Sequence, residues 1–231
     1  MRPGSLLAPR TQGVSLGGPP VTGVGSLLIL ALLAGCGSPT SATRFTVMTA
    51  EASPEDVAAT ARVIQARFDH WAPSDSSRVD TTINGNRIDF HFRGTTPHPT
   101  EIVYLGSTPG VFKLASGDAP KLAWVSDLNF HSARCVDAEL GGLEVVNLEV
   151  DLRAAAGARL AAYTRQNLGK VVVATWDNQV IGQGTISSEF GPHFVTTLQE
   201  DEHTRMRCTI IETGRLPVAI ASYHLELAST S

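Results

Sequence analysis

The stretch from Tyr163 to Ile186, YTRQNLGKVVVATWDNQVIGQGTI, contains a helix end, two strands and the turn that joins them. Asn167 lies where a helix finishes, and Gly169 stands at a C-cap position, where glycine takes the left-handed conformation cheaply. KVVVATW reads as a strand, Asp177-Asn178 as a tight hairpin turn, and QVIGQG as the returning strand. Upstream, LEVVNLEV alternates with Val146, Leu148 and Val150 on one side, and a helix is expected from Asp151 to Leu168. Downstream, a helix over 199–213 opens on Glu200, Asp201 and Glu202, a charge order that suits the helix dipole. It stops before Gly214, Leu216-Pro217 breaks it, and VAIASYHLEL returns as a strand.

The first half has a regular order. RFTVMTA, residues 44–50, alternates as a strand does, and Ser53-Pro54-Glu55-Asp56 supplies a cap, a proline at the first helical position and early acids. The helix that follows places Val57, Ala61, Ile64 and Phe68 on one face. Strands near 77–83 and 87–92 flank the turn Asn84-Gly85-Asn86. Pro99 opens a short helix with Ile102, Val103 and Leu105, stopped by Gly106, and GVFKLAS from Gly110 is a strand. This β-α-β-β-α-β order suggests an α+β, ferredoxin-like sheet with helices on one face. Residues 117–142 are mixed, with a strand read only near Cys135 to Glu139.

The chain has 231 residues and a net charge of −4. Residues 1–35 contribute Arg2 and Arg10 and no acid, so without those two cations the balance is −6. An acidic chain with no run of Lys or Arg lacks the electrostatic footprint of nucleic-acid binding.

Three phrases carry a family resemblance. The opening stretch resembles a hallmark of SecD, the polytopic subunit that assists protein export, through Thr164, Asn167, Gly169, Lys170, Ala174, Asp177 and Val180. Asn178 replaces the family's turn glycine and tolerates the same positive φ. ETGRLPVAI matches a second phrase through Gly214, Leu216, Pro217 and Val218, and HPTEIVYLGSTPGVFKL a third through Pro99, Leu105, Gly106 and Thr108. The resemblance implies SecD's first periplasmic domain, a ferredoxin-like base with an inserted or appended head. It departs from the family where Gln183-Gly184-Thr185 replaces Ser-Ala-Pro after the hairpin, and SecD's membrane helices have no counterpart in the sequence as read. The division expected is a base over 44–116, a small α+β head over 117–222, and a strand end and tail over 223–231.

The N-terminal stretch VTGVGSLLILALLAG, residues 21–35, holds the longest apolar run. Its strongly apolar part covers about ten residues, whereas a membrane-spanning helix needs roughly 20. Basic residues before it and small residues after it give the layout of a secretory signal peptide, expected over 1–35. Leu33-Ala34-Gly35-Cys36 resembles the lipobox of bacterial lipoproteins, in which the cysteine thiol receives diacylglycerol and becomes the first mature residue. Cys36 is therefore the expected lipidation site, with 36–43 as the lipidated cysteine and its flexible tether. The rival reading is an ordinary signal peptide cut near Ala34 that leaves Cys36 as a thiol. The lipoprotein resemblance implies a cell-envelope location facing the periplasm, with Gly37 favouring the outer membrane in a Gram-negative cell. Two cysteines remain, Cys135 and Cys208, and the sequence leaves their pairing open.

No catalytic, metal or cofactor site is read. Seven histidines, from His70 to His224, show no ligand-pair spacing, and no Cys-x-x-Cys occurs. Gly182-Gln183-Gly184 is too little for a phosphate loop, and no Gly-x-Ser-x-Gly elbow appears. The function expected is a non-catalytic, lipid-anchored module that binds secreted polypeptides or components of the Sec translocon. The alternative is an assembly lipoprotein that reuses the fold with a fixed envelope partner.

Overall fold

The computed structural model describes residues 43–72, 77–198 and 200–228. The signal segment, Cys36 and nearly all of the tether lie outside them. Among the described residues, no helix is long and apolar enough to cross a membrane.

The chain is α+β, with antiparallel sheets and four helices among the described residues. Its base is a four-stranded sheet of β1 (Arg44–Thr49), β2 (Arg78–Asn84), β3 (Arg87–Arg93) and a last strand, Ile220–Glu226, in the order last-β1-β3-β2. Alternation places Phe45, Val47, Ile88, Phe90 and Phe92 on one face, all buried, with Phe45 paired to Phe90 and Val47 to Ile88. Helices α1 (Pro54–Trp71) and α2 (Pro99–Ser107) cover that face. The Ser53 hydroxyl accepts the Asp56 amide at 3.1 Å and starts α1, whose apolar stripe delivers Phe68 edge-on to Phe90 and Phe92. Gly106 does not stop α2 but sits inside it, where an added Cβ would overlap the Phe45 ring.

The strand over GVFKLAS does not close the base sheet. It is β4 (Phe112–Ser116), and it pairs with β5 (Ala119–Ser126) and β8 (Val171–Trp176) in a second four-stranded sheet, β5-β4-β8-β9, where β9 is Gln179–Thr185. The C-terminal strand pairs with β1 and fills the place of the fourth base strand that GVFKLAS was expected to supply. The physical cause lies at Gly110, whose φ of +83° turns the chain away from the base, and at Asp177, which captures the next amides for the other sheet. Base and head are therefore interleaved, with base elements on both sides of the head in sequence.

A three-stranded sheet, β10-β7-β6, completes the head, with β6 at Phe130–Leu140, β7 at Leu143–Leu152 and β10 at His193–Leu198. Val146, Leu148 and Val150 of β7 are buried, as their alternation predicts. Helix α3 (Ala154–Gln166) starts later than Asp151 because Asp151 and Leu152 still pair with β10 and β6. The Asp177-Asn178 turn has φ of 45° and 69°, the geometry of a two-residue hairpin that fits strand twist. Strand β10 is short, its apolar Phe194, Val195 and Leu198 fall on both faces, and it gave no sequence signal. Helix α4 (Thr204–Thr213) begins after the acidic triplet, so Glu200, Asp201 and Glu202 precede it; the Asp201 carboxylate accepts the His203 amide at 2.8 Å and pairs with Arg207 at 2.8 Å. The final strand is β11.

Candidate functional site

The three sequence phrases converge where the chain passes from base to head. On α1, Arg67 lies on the same inner side as Ile64 and Phe68 and is fully buried. Its Nη1 donates to the carbonyls of Leu105 at 2.9 Å and Thr108 at 2.8 Å, and its Nη2 to Gly214 at 2.8 Å. A guanidinium does this because its donors form a rigid planar fork. Burial lowers its pKa to about 9, opposed by the field of Asp177, so it stays protonated at neutral pH. Sequence reading missed Arg67; the available signal was a single basic residue within an apolar helical stripe.

Asp177 holds the other side of this joint. Its carboxylate accepts the amides of Val111 at 2.8 Å and Gly110 at 3.2 Å, and its own amide donates to the Val111 carbonyl at 2.9 Å. The Leu216 amide donates to the Pro109 carbonyl at 2.9 Å. Thus Leu105 and Thr108, Asp177, and Gly214 and Leu216 meet within one crossing. Other motif residues brace the β8–β9 hairpin against α3. The Thr164 hydroxyl donates to Leu160 and accepts the Phe190 amide at 2.9 Å, Asn167 donates to the Tyr163 carbonyl at 2.8 Å, and Gly169 donates to Ile186 at 2.8 Å. These residues act as joints, which their types are sufficient to explain.

Beside the joint opens a cleft of about 380 Å³, walled by Phe112, Phe130 and Trp176 of the head and Ile210 of α4. Asp127 and Arg215 stand in it 3.4 Å apart, and burial raises the Asp127 pKa against the pull of that arginine.

The second concavity is a groove of about 260 Å³ between β9 and β10. Each is the last strand of its sheet, and among the described residues no ladder joins them. They nevertheless approach closely, because a Cβ on Gly182 would stand 3.3 Å from the Thr197 carbonyl. Leu114, Val172, Phe190 and Phe194 supply the apolar part of a mixed lining that also contains Thr196, Thr197 and the exposed Val195. Gln183, Gly184 and Thr185, the segment that departs from the SecD pattern, lie along it. A partly apolar floor along two unmatched strand edges offers an extended polypeptide side-chain contacts in the groove, while the close approach at Gly182 leaves no room there for a further strand between the edges.

Cys36, the expected lipidation site, lies outside the described residues. Of the histidines, His70 pairs with Glu212 at 3.2 Å, His193 with Asp151 at 2.9 Å and His203 with Glu202 at 3.5 Å. Among the described residues, no group of three or more His, Cys, Asp or Glu is placed to hold a metal ion.

No family model and no curated protein sequence matches the chain. Solved structures do. One, described as the crystal structure of SecDF in a super-membrane-facing form, matches 80% of this chain at a TM-score of 0.61 and 15% identity, and the chain spans 30% of its length. Another, described by the structure and function of SecDF as a membrane component that enhances protein export, matches 78% of this chain and 98% of its own at a TM-score of 0.59 and 15% identity. The fold of this chain is thus the α+β fold found in SecDF.

Proposed function

We propose that this protein is a lipid-anchored envelope lipoprotein whose SecD-like module binds extended polypeptides on the export path without catalysing a covalent step. The observation that carries the reading is the β9–β10 groove, a partly apolar depression along two unpaired strand edges, within a fold shared with a component that enhances protein export. The anchor rests on Leu33-Ala34-Gly35-Cys36 at the end of a signal-like segment. Two or three acyl chains hold a protein stably to a membrane.

Photo-crosslinkers at Gln183 and Val195, with Thr82 on the distant β2 as control, test the polypeptide reading in cells with active export. Secreted chains or Sec components captured at the groove and not at Thr82 support it. Failure to capture them, with a stoichiometric partner and normal export after deletion, favours an assembly lipoprotein instead. Cys36→Ser tests the anchor separately: loss of membrane retention supports it, and a membrane-retained protein of mature length overturns it.

A further inference from the structure

Helix α4 packs against α1 and α2 of the base on one side and against β6 of the head on the other, and the backbone joins base to head at 108–111. A third link is covalent and lies outside the backbone. Cys135 on β6 and Cys208 on α4 form a disulfide across 73 residues, with Cα atoms 5.7 Å apart. The sequence left this pairing open. Strand β6 is the last of its sheet, with β7 along one edge and α4 packed beside it. Apart from the disulfide, the polar links between β6 and α4 are slight. The Cys135 amide donates to the Glu212 carboxylate at 2.7 Å, and Arg205 pairs with Asp137 at 2.5 Å. The side chains of that ion pair are 61% and 70% exposed, so solvent screens it heavily. The joint at the buried Arg67 and the half-buried Asp177 contains no sulfur. One attachment of the head is thus held by a polar network, and the other by the disulfide together with these two polar links and the apolar packing of β6 on α4.

That bond is within reach of solvent. Both cysteines line an open depression of about 360 Å³, together with His70, Arg205 and Glu212. Cys208 is buried and Cys135 is partly exposed, so Cys135 Sγ offers the approach for an attacking thiolate.

We infer that the Cys135–Cys208 disulfide is a redox latch that holds the β6 edge of the head against α4 and releases it when reduced. A dithiol opens it in two steps. One thiolate attacks Cys135 Sγ and expels the Cys208 sulfur, which takes up a proton. The second thiol then closes a disulfide within the reductant and releases Cys135 as a thiol. Two electrons and two protons pass to the protein, and the dithiol is oxidised. Opening the latch frees the part of the β6 edge around Cys135 and Asp137 that α4 engages, a surface on which another chain can pair. The latch is independent of what occupies the β9–β10 groove.

Hydrogen exchange read by mass spectrometry on the whole protein tests this, with and without dithiothreitol at neutral pH and no denaturant. The Cys135→Ser/Cys208→Ser double variant serves as the reductant-blind control. Reduction is expected to speed exchange about tenfold or more in peptides covering 133–140 and 204–213, with 44–49 and 87–93 unchanged. The double variant should show the fast pattern with or without reductant. Unchanged exchange in the reduced protein overturns the latch, as does failure of dithiothreitol to reduce the bond without denaturant. A uniform increase across the chain also overturns it, because the bond would then serve global stability alone. Should the double variant not fold, the wild-type comparison alone decides.

Discussion

Replacing Arg67 separates two roles of a buried cation: the charge and the shape of its donor fork. Arg67 makes three hydrogen bonds of 2.8–2.9 Å to the carbonyls of Leu105, Thr108 and Gly214. Burial lowers the Arg67 pKa to about 9, so desolvation of its charge is heavy. Bonds from a charged donor contribute about 1.5–3 kcal/mol each net of desolvation, and the low end of that range puts the loss of three at about 4–5 kcal/mol. An apolar side chain buried in the same place returns about 2 kcal/mol. Arg67→Met keeps the aliphatic stem and should therefore cost about 2–3 kcal/mol. Arg67→Lys retains a buried, more strongly hydrated charge and has one nitrogen for acceptors spread over two guanidinium nitrogens. It should cost about 4 kcal/mol, making the charge-conserving substitution the more damaging. Urea unfolding followed by tryptophan fluorescence and by far-UV circular dichroism measures both. With an m value of about 2 kcal/mol/M, the midpoints should fall by about 1–1.5 M for methionine and about 2 M for lysine. A lysine variant more stable than the methionine variant refutes the reasoning, because charge and not fork geometry would then hold the crossing.

Three further outcomes follow from other joints. Gly106→Ala drives a Cβ into the Phe45 ring and should lower stability by about 1–3 kcal/mol; an unchanged melting temperature would show that the ring shifts freely. Asp177→Ala leaves the Gly110 and Val111 amides without their acceptor and should cost about 2–4 kcal/mol in urea unfolding, with Asp177→Asn losing less because one oxygen remains. Burial alone would raise the Asp89 pKa, but hydrogen bonds from Arg87, Thr46 and Arg44 outweigh it and hold the carboxyl well below the usual carboxylate range. Its contribution is therefore complete above about pH 4 and is lost as pH falls toward its depressed folded value, so Asp89→Asn should be less stable at pH 7 and show a flatter loss between about pH 4 and 2. Urea midpoints at pH 7, 5 and 3 check the sign, and parallel curves for the two proteins would contradict it.

Local features were legible wherever one residue or one period decides them. The Ser53-Pro54 helix start, the buried stripe of α1, the alternation in β7 and the Asp177-Asn178 turn all depend on a few adjacent side chains. Strand β10 was missed because it is short and its apolar residues, Phe194, Val195 and Leu198, fall on both faces, and α3 was begun too early because Asp151 and Leu152 belong to a ladder whose partners are distant in sequence. Asp177 was read as a turn residue, which it is; its hold on Gly110 and Val111 spans more than 60 residues and leaves no local trace. The candidate groove was likewise hidden, since the free edges of β9 and β10 exist only relative to the strands that pair elsewhere.

By itself, the sequence determined the α+β class, most helices and strands, and the resemblance whose fold the SecDF structures share. Those properties follow from capping, periodicity and turn chemistry, which act over a few residues. Only the tertiary structure decided that β11 and not β4 closes the base, that Arg67 gathers carbonyls from both sides of the head, and that Cys135 meets Cys208. Each of these choices is made by contacts between segments far apart in the chain. An alternating pattern says that a strand needs a partner, and the packed interior determines which partner it receives.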